Sequence, residues 1–95
     1  MLPLLDLLSN KMDNNDCIKL VVLSPERTVL EVQVSQVELP GERGRFTVLR
    51  NHAPLISSLD EGEITYKSAG ALAKMHITSG FVEINENNVT ACVVL

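Results

Sequence analysis

The sequence predicts an all-β domain of about eight short strands, arranged as a β-sandwich or a small barrel. Runs rich in β-branched residues alternate with turn signals of Gly, Pro, Asp and Asn at short intervals throughout the chain after residue 16. No segment in that region repeats apolar residues with the helical period. Hydrophobic residues make up 45% of the 95 residues but only 3% are aromatic, so we expect a core of Val, Leu and Ile.

The first two predicted strands differ in how their apolar residues alternate. Residues 18–23 form a β-branched run that the turn at 24–27 ends. In the next run, 29–39, apolar residues occupy even positions up to Val34 and odd positions from Val37. Because side chains alternate with a period of two along a strand, this switch predicts a bulge or bend at Ser35-Gln36. Such a switch lets a strand leave one sheet and enter another.

The remaining elements follow from turn chemistry. Residues 40–44 are predicted as a turn in which Gly41 and Gly44 take positive φ, and Asp60-Glu61-Gly62 as a hairpin turn. A loop is predicted at residues 50–54, because Pro54 interrupts the apolar pattern there. Further turns are expected at 68–70 and 86–88, and strands at 45–49, 63–67, 71–78, 81–84 and 89–95.

Residues 1–16 are interpreted as a flexible leader and residues 17–95 as the folded domain. The opening segment, MLPLLDLL, is too short and too acidic for a signal peptide or a membrane span. A helical turn over residues 4–8 is an alternative for this segment, and Met12 is an alternative start of the protein. We therefore expect an intracellular protein whose two thiols, Cys17 and Cys92, are reduced.

The sequence lacks the residue patterns that catalysis or metal binding requires. The two histidines, His52 and His76, have no metal-ligand spacing, and no phosphate-binding glycine loop is present. We interpret His76 as an exposed or cross-strand residue, and the two cysteines as small core residues rather than reactive thiols. The carboxylates of residues 60, 61 and 63 bracket a turn and are interpreted as solvated. No catalytic, cofactor-binding or metal-binding residue is predicted.

Charge excludes one class of partner and suggests another. A net charge of -4 and a pI of about 5.0 argue against nucleic-acid binding. Three arginines, Arg43, Arg45 and Arg50, nevertheless give residues 43–59 a charge of +3, because no acidic residue lies between Glu42 and Asp60. This segment is either a solvated loop or a docking patch for an acidic partner or an anionic surface.

The basic segment also carries a resemblance to a known family. Residues 39–49, LPGERGRFTVL, followed by Asn51-His52-Ala53-Pro54-Leu55, closely resemble the motif of the epsilon subunits of F-type ATP synthases. Further pieces of the chain resemble the family in order and spacing: Ser24-Pro25-Glu26, Leu59-x-x-Gly62-x-Ile64, Ser79–Ile84 and Asn88-Val89-Thr90. The resemblance runs from about Ile18 to Leu95.

The resemblance implies a flattened β-sandwich of about 8–10 short antiparallel strands and a non-catalytic role in the central stalk. Such a subunit binds the gamma subunit and couples it to the c-subunit ring, on the cytoplasmic face of the cell inner membrane. The region facing the ring would contain Arg43, Arg45, Arg50, Asn51 and His52. No cofactor is implied, and we expect the isolated chain to be a monomer.

Two departures from the family limit what the resemblance implies. The chain ends at Leu95, where the helical hairpin of longer members would begin, so it resembles a short form without that hairpin. Arg45 stands where many members carry an acidic residue, so a ring contact that used this acid is replaced or reversed. The alternative function is a free-standing β-sandwich that binds a ligand or peptide.

Overall fold

The computed structural model describes residues 16–95, so the rest of the predicted leader, residues 1–15, lies outside the described residues. The described part of the chain is built from nine strands. They are β1 (Ile18–Leu23), β2 (Thr28–Val34), β3 (Gln36–Gly41), β4 (Gly44–Val48), β5 (Leu55–Leu59), β6 (Gly62–Ser68), β7 (Ala71–Ile77), β8 (Ser79–Asn85) and β9 (Asn88–Val94). The predicted all-β fold is confirmed. No helix in residues 16–95 has the length and apolarity needed to cross a membrane.

The strands form one continuous sheet that curls over into two layers. The order is β2-β1-β9-β8-β5-β3-β6-β7, and β4 pairs with β3. We call β2-β1-β9-β8-β5 the first layer and β4-β3-β6-β7 the second layer. The layers are joined where Gly41 of β3 pairs with Leu59 of β5, and at the corner between β2 and β3.

The predicted bend at Ser35-Gln36 is confirmed as this corner. Strand β2 ends at Val34 and β3 begins at Gln36, so the chain passes from the first layer to the second at Ser35. The backbone amide and the hydroxyl of Ser35 both donate to the carbonyl oxygen of Lys67, at 2.8 and 3.3 Å. The switch in apolar parity therefore keeps Val34 and Val37 in the same core, although they belong to different layers.

One strand pair corrects the expectation of a purely antiparallel fold. Strands β1 and β9 run parallel, with Leu20 opposite Val89 and Leu23 opposite Cys92. A parallel pair needs a long crossover connection, and here the crossover consists of every strand between β1 and β9. The other strand pairs among residues 16–95 are antiparallel, as the resemblance implies.

Two turn predictions are also corrected. The turn at Asp60-Glu61 does not close a hairpin, because β5 pairs with β8 and β3, whereas β6 pairs with β3 and β7. These residues instead carry the chain from the first layer to the second. The predicted turn at 40–44 is shorter than expected, because β3 extends to Gly41; only Gly44 has positive φ, at 124°.

The space between the layers is filled by aliphatic side chains, as the composition predicts. Phe46 and Tyr66 are only partly buried and pack against the edge of this core. Alternation along β4 leaves Arg45 exposed and buries Val48. The buried residues are Ile18, Leu20, Val22, Val34, Val37, Leu39, Val48, Leu59, Ile64, Ile77, Val82, Ile84, Val89, Ala91 and Val93.

Asp16, assigned to the leader from the sequence, is fixed to the sandwich. Its side chain is buried, with 7% of the residue exposed. One carboxylate oxygen accepts a hydrogen bond of 2.8 Å from the amide of Ala69, in the turn between β6 and β7. The other has no hydrogen-bond partner within the described residues. The folded domain thus includes at least this one residue of the predicted leader.

Replacing Gly41 with alanine should lower the free energy of unfolding by about 1–3 kcal/mol. A Cβ atom at this position would lie 2.8 Å from the carbonyl oxygen of Gly44 and 2.8 Å from the ring of Phe46. Thermal unfolding followed by circular dichroism would measure the change, as a fall in Tm of at least about 4 °C.

The matched control for this substitution is Gly70→Asn. Gly70 has positive φ, which asparagine tolerates, and a Cβ atom there meets nothing within 4 Å. Because a side chain at this φ is strained even in open space, the control should itself lose about 1 kcal/mol or less, and Gly41→Ala, which adds a steric clash, should melt below it. A Gly41→Ala variant that melts as high as the control would show that Gly41 is not needed for close packing.

Candidate partner-binding surfaces

The residues predicted to face a partner lie in two clusters. Arg43 and Arg45 belong to the hairpin that joins β3 to β4, whereas Arg50, Asn51 and His52 follow the other end of β4. Arg45 and Arg50 are five residues apart along an extended chain, which separates their backbones by roughly 16 Å. The three arginines therefore lie in two groups separated by β4, and their contact with a partner stays a prediction.

Carboxylates partly neutralise the hairpin cluster. Arg45 donates through Nε to Oε2 of Glu38 on β3, at 3.2 Å, and both side chains are well exposed. Such an exposed pair contributes less than about 1 kcal/mol to stability but reduces the local field. Arg43 follows Glu42 directly in the turn. Beside the hairpin lies an open cleft of about 610 Å³, which the edge of β5 lines on its far side through Ser57 and Ser58.

The loop cluster is held by hydrogen bonds to a distant turn. The amide of Asn51 donates to Oδ1 of Asn87 at 2.6 Å, and Nδ2 of Asn87 donates to Oδ1 of Asn51 at 3.3 Å. Both asparagines have positive φ, at 65° and 63°. The guanidinium of Arg50 lies 3.7 Å from Sγ of Cys17. The loop between β4 and β5 is thereby tied to the β8–β9 turn and to the start of β1.

The two histidines make polar contacts with nearby residues. His52 lies 2.7 Å through Nδ1 from the carbonyl oxygen of Ala53, and its amide donates to Leu49 at 3.1 Å. His76 is paired across strands with Glu63 and lies 3.3 Å from Glu61, with more than half of its side chain exposed. The interpretation of His76 as an exposed cross-strand residue is confirmed. Residues 16–95 contain no group of three His, Cys, Asp or Glu side chains that could hold a metal ion.

The outer faces of the two layers differ in polarity. Across the second layer, cross-strand neighbours form a polar row of Thr47, Glu38, Thr65 and Lys74. This is the usual character of a solvated sheet face.

The first layer instead carries an apolar row on its outer face, formed by Leu23, Cys92 and Phe81. Leu23 lies opposite Cys92, and Cys92 lies opposite Phe81, across three adjacent strands. Phe81 is 52% exposed, whereas Leu23 and Cys92 are half-buried. Contiguous apolar surface on an outer sheet face typically marks a contact with another molecule.

The apolar row lies in a shallow trough of about 370 Å³ at one end of the first layer. Pro25 from the β1–β2 turn and Val94 at the end of β9 extend its apolar lining, and Val94 is 50% exposed. This surface was not predicted from the sequence. The sequence signal for this surface is the end of β9, where three successive apolar residues, Cys92, Val93 and Val94, place apolar side chains on both faces of the strand. The register that brings Cys92 opposite Phe81 is not local in sequence.

The described residues therefore form a β-sandwich domain with an apolar row on the outer face of the first layer and a polar row on the outer face of the second. Over residues 17–94 the chain matches the family described as ATP synthase, Delta/Epsilon chain, beta-sandwich domain. The chain belongs to this family, as the resemblance of its motifs implies.

Relatives and solved structures agree with this assignment. The chain is 46% identical over 69 residues to the ATP synthase epsilon chain of Desulfitobacterium hafniense, covering 73% of this chain and 52% of the relative. It is 43% identical over 74 residues to that of Carboxydothermus hydrogenoformans, covering 78% and 55%. The chain thus spans about half the length of the curated relatives it matches.

Two mitochondrial ATP synthase structures contain the same fold. A chain of the Euglena gracilis enzyme, in an assembly of OSCP, F1 and c-ring, superposes with a TM-score of 0.79 at 20% identity, covering 84% of this chain and 52% of that chain. A chain of the Tetrahymena thermophila enzyme, from its central stalk and c-ring, gives 0.71 at 12% identity, covering 83% and 64%.

Oxidation should not join Cys17 to Cys92 within one chain. Cys92 lies opposite Leu23 at the end of β1, whereas Cys17 precedes the start of that strand, so the two lie roughly 20 Å apart. A disulfide requires Cα atoms within about 7 Å. Thiol titration after mild oxidation of dilute native protein should find both thiols, and the same treatment in denaturant is the control. An intramolecular disulfide in the native sample would contradict the parallel β1–β9 register.

Proposed function

We propose that this chain is a non-catalytic subunit of the central stalk of an F-type ATP synthase. In this role it connects the gamma subunit to the c-subunit ring, so that ion flow through the membrane is coupled to ATP synthesis. Family membership, relatives named ATP synthase epsilon chain and the fold shared with chains of mitochondrial ATP synthases support the proposal. Assembly would hold the chain at the cytoplasmic face of the cell inner membrane.

The observation that carries this proposal is the apolar row on the first layer. Phe81 and Val94 are about half exposed and adjoin the half-buried Leu23 and Cys92, and contiguous apolar surface of this kind typically marks contact with another molecule. Burying an aromatic side chain at the centre of an interface commonly contributes about 2 kcal/mol or more to binding. We assign the apolar row and its trough to contact with the gamma subunit.

The ring contact must use one of the two basic clusters, because they lie at opposite ends of β4. The hairpin cluster fits better, because Arg43 and Arg45 are exposed beside the open cleft, and Arg45 occupies the position at which the family resemblance implies a ring contact. An arginine there selects acidic groups on the partner, so the charge of this contact is reversed relative to members with an acid.

The alternative function, a free-standing module for a ligand or peptide, would use the same apolar trough. The trough is wide and open, whereas sites for small molecules enclose most of their ligand. Isolation of the chain from native membranes discriminates between these functions, because a stalk subunit is recovered with gamma whereas a free-standing module is recovered without it.

Replacing Phe81 with glutamine should weaken binding to the gamma subunit about 30-fold, or ~2 kcal/mol. The matched control is Leu72→Gln, because Leu72 is an even more exposed apolar residue, at 65%, on the outer face of the second layer. Both variants should melt within about 2 °C of the unmodified chain, since neither side chain is in the core. Titration against purified gamma by calorimetry measures the affinities. Equal affinity for both variants would contradict the assignment of this surface.

A further inference from the structure

Two cations, Arg50 of the loop cluster and Lys67 of β6, line the same hollow. The hollow, about 310 Å³ in volume, lies at the end of the sandwich opposite the β3–β4 hairpin. Its lining comes from the β2–β3 corner, the end of β4 and the end of β6. We call it the basic hollow, and the residues that line it are Ser35, Gln36, Leu49, Arg50 and Lys67.

No carboxylate neutralises the two cations within the described part of the chain. Arg50 and Lys67 form none of the ion pairs seen in residues 16–95, whereas Lys19 and Arg45 are each paired with a glutamate. Asp16, at the same end of the sandwich, directs one oxygen to the amide of Ala69 and does not line the hollow. The cleft beside the β3–β4 hairpin differs, because Glu42 lines it together with its arginines.

The backbone that carries each cation is held in place by hydrogen bonds. The carbonyl oxygen of Lys67 accepts from both the amide and the hydroxyl of Ser35. The residue after Arg50 is fixed by the paired amides of Asn51 and Asn87, and the Arg50 guanidinium contacts Sγ of Cys17 through one nitrogen. The backbone on either side of the hollow therefore does not need to be ordered on binding. Such preorganisation lowers the entropic cost of binding a small ligand.

The chemistry of the lining selects a compact oxyanion. A guanidinium offers a planar pair of donors and an ammonium offers a mobile point charge, a combination that suits the tetrahedral oxygens of phosphate. No aromatic side chain is among the residues that line the hollow, so nothing there would stack on a nucleotide base. The volume accommodates a phosphate group with several waters.

We propose that the basic hollow is a binding site for a phosphate oxyanion, held between Arg50 and Lys67. This site is distinct from the apolar row and from the hairpin cluster, and it does not depend on the function proposed above. The ligand of this site would be small and negatively charged.

The test is a titration of the full chain with inorganic phosphate, followed by amide NMR at constant ionic strength. We expect saturable shifts at Ser35, Arg50 and Lys67. Arg50→Gln and Lys67→Gln should each weaken binding about five- to tenfold, because each removes a charge-assisted contact. The matched control is Lys74→Gln, which removes an exposed lysine on the outer face of β7 and should leave the affinity unchanged. Thermal unfolding verifies that the variants fold.

Three outcomes would overturn the proposal. The first is a set of shifts that grow linearly with phosphate and do not saturate. The second is an equal loss of affinity in Lys74→Gln, which would show that phosphate responds only to overall charge. The third is an unchanged affinity for phosphate in both Arg50→Gln and Lys67→Gln, which would show that these two cations do not hold the ion.

Discussion

The fold depends on a single aliphatic core that two layers of one curled sheet must share. Side chains alternate with a period of two along a strand. A chain that crosses from one layer to the other can therefore keep its apolar side chains in this core only if its buried face changes at the crossing. The chain makes that change at Ser35, where buried residues pass from the even position Val34 to the odd position Val37. The Ser35 hydrogen bonds to Lys67 then fix the corner, and the same contacts place Lys67 beside the loop that carries Arg50.

Because the core occupies the inner faces, interactions with other molecules are left to the outer faces and the two ends. The outer face of the second layer carries a polar row together with the exposed Leu72, whereas the first layer concentrates Leu23, Cys92 and Phe81 in one row. The two ends also differ in charge, since the arginines of the β3–β4 hairpin lie among carboxylates and the basic hollow is lined by none. A small sandwich can in this way offer separate surfaces to an apolar partner, an acidic partner and a small anion.

Features that are local in sequence could be predicted, and features that depend on register could not. The bend at Ser35 follows from the apolar parity of a few neighbouring residues. The parallel pairing of β1 with β9 joins the two ends of the domain, and no local pattern reports it. The apolar row escaped prediction for the same reason. The arginines were expected in one patch because they lie within eight residues of the sequence. The chain between Arg45 and Arg50 is largely an extended strand, however, and it separates their backbones.

We propose that the outer face of the first layer binds the gamma subunit. Photo-cross-linking in the assembled complex tests it directly, with a photoreactive residue at position 81 on the first layer and, in a second preparation, at position 72 on the second layer. We expect position 81 to cross-link to gamma and position 72 not to do so. Mass spectrometry of the products identifies the cross-linked subunit. A cross-link to gamma from position 72 with none from position 81 would contradict it.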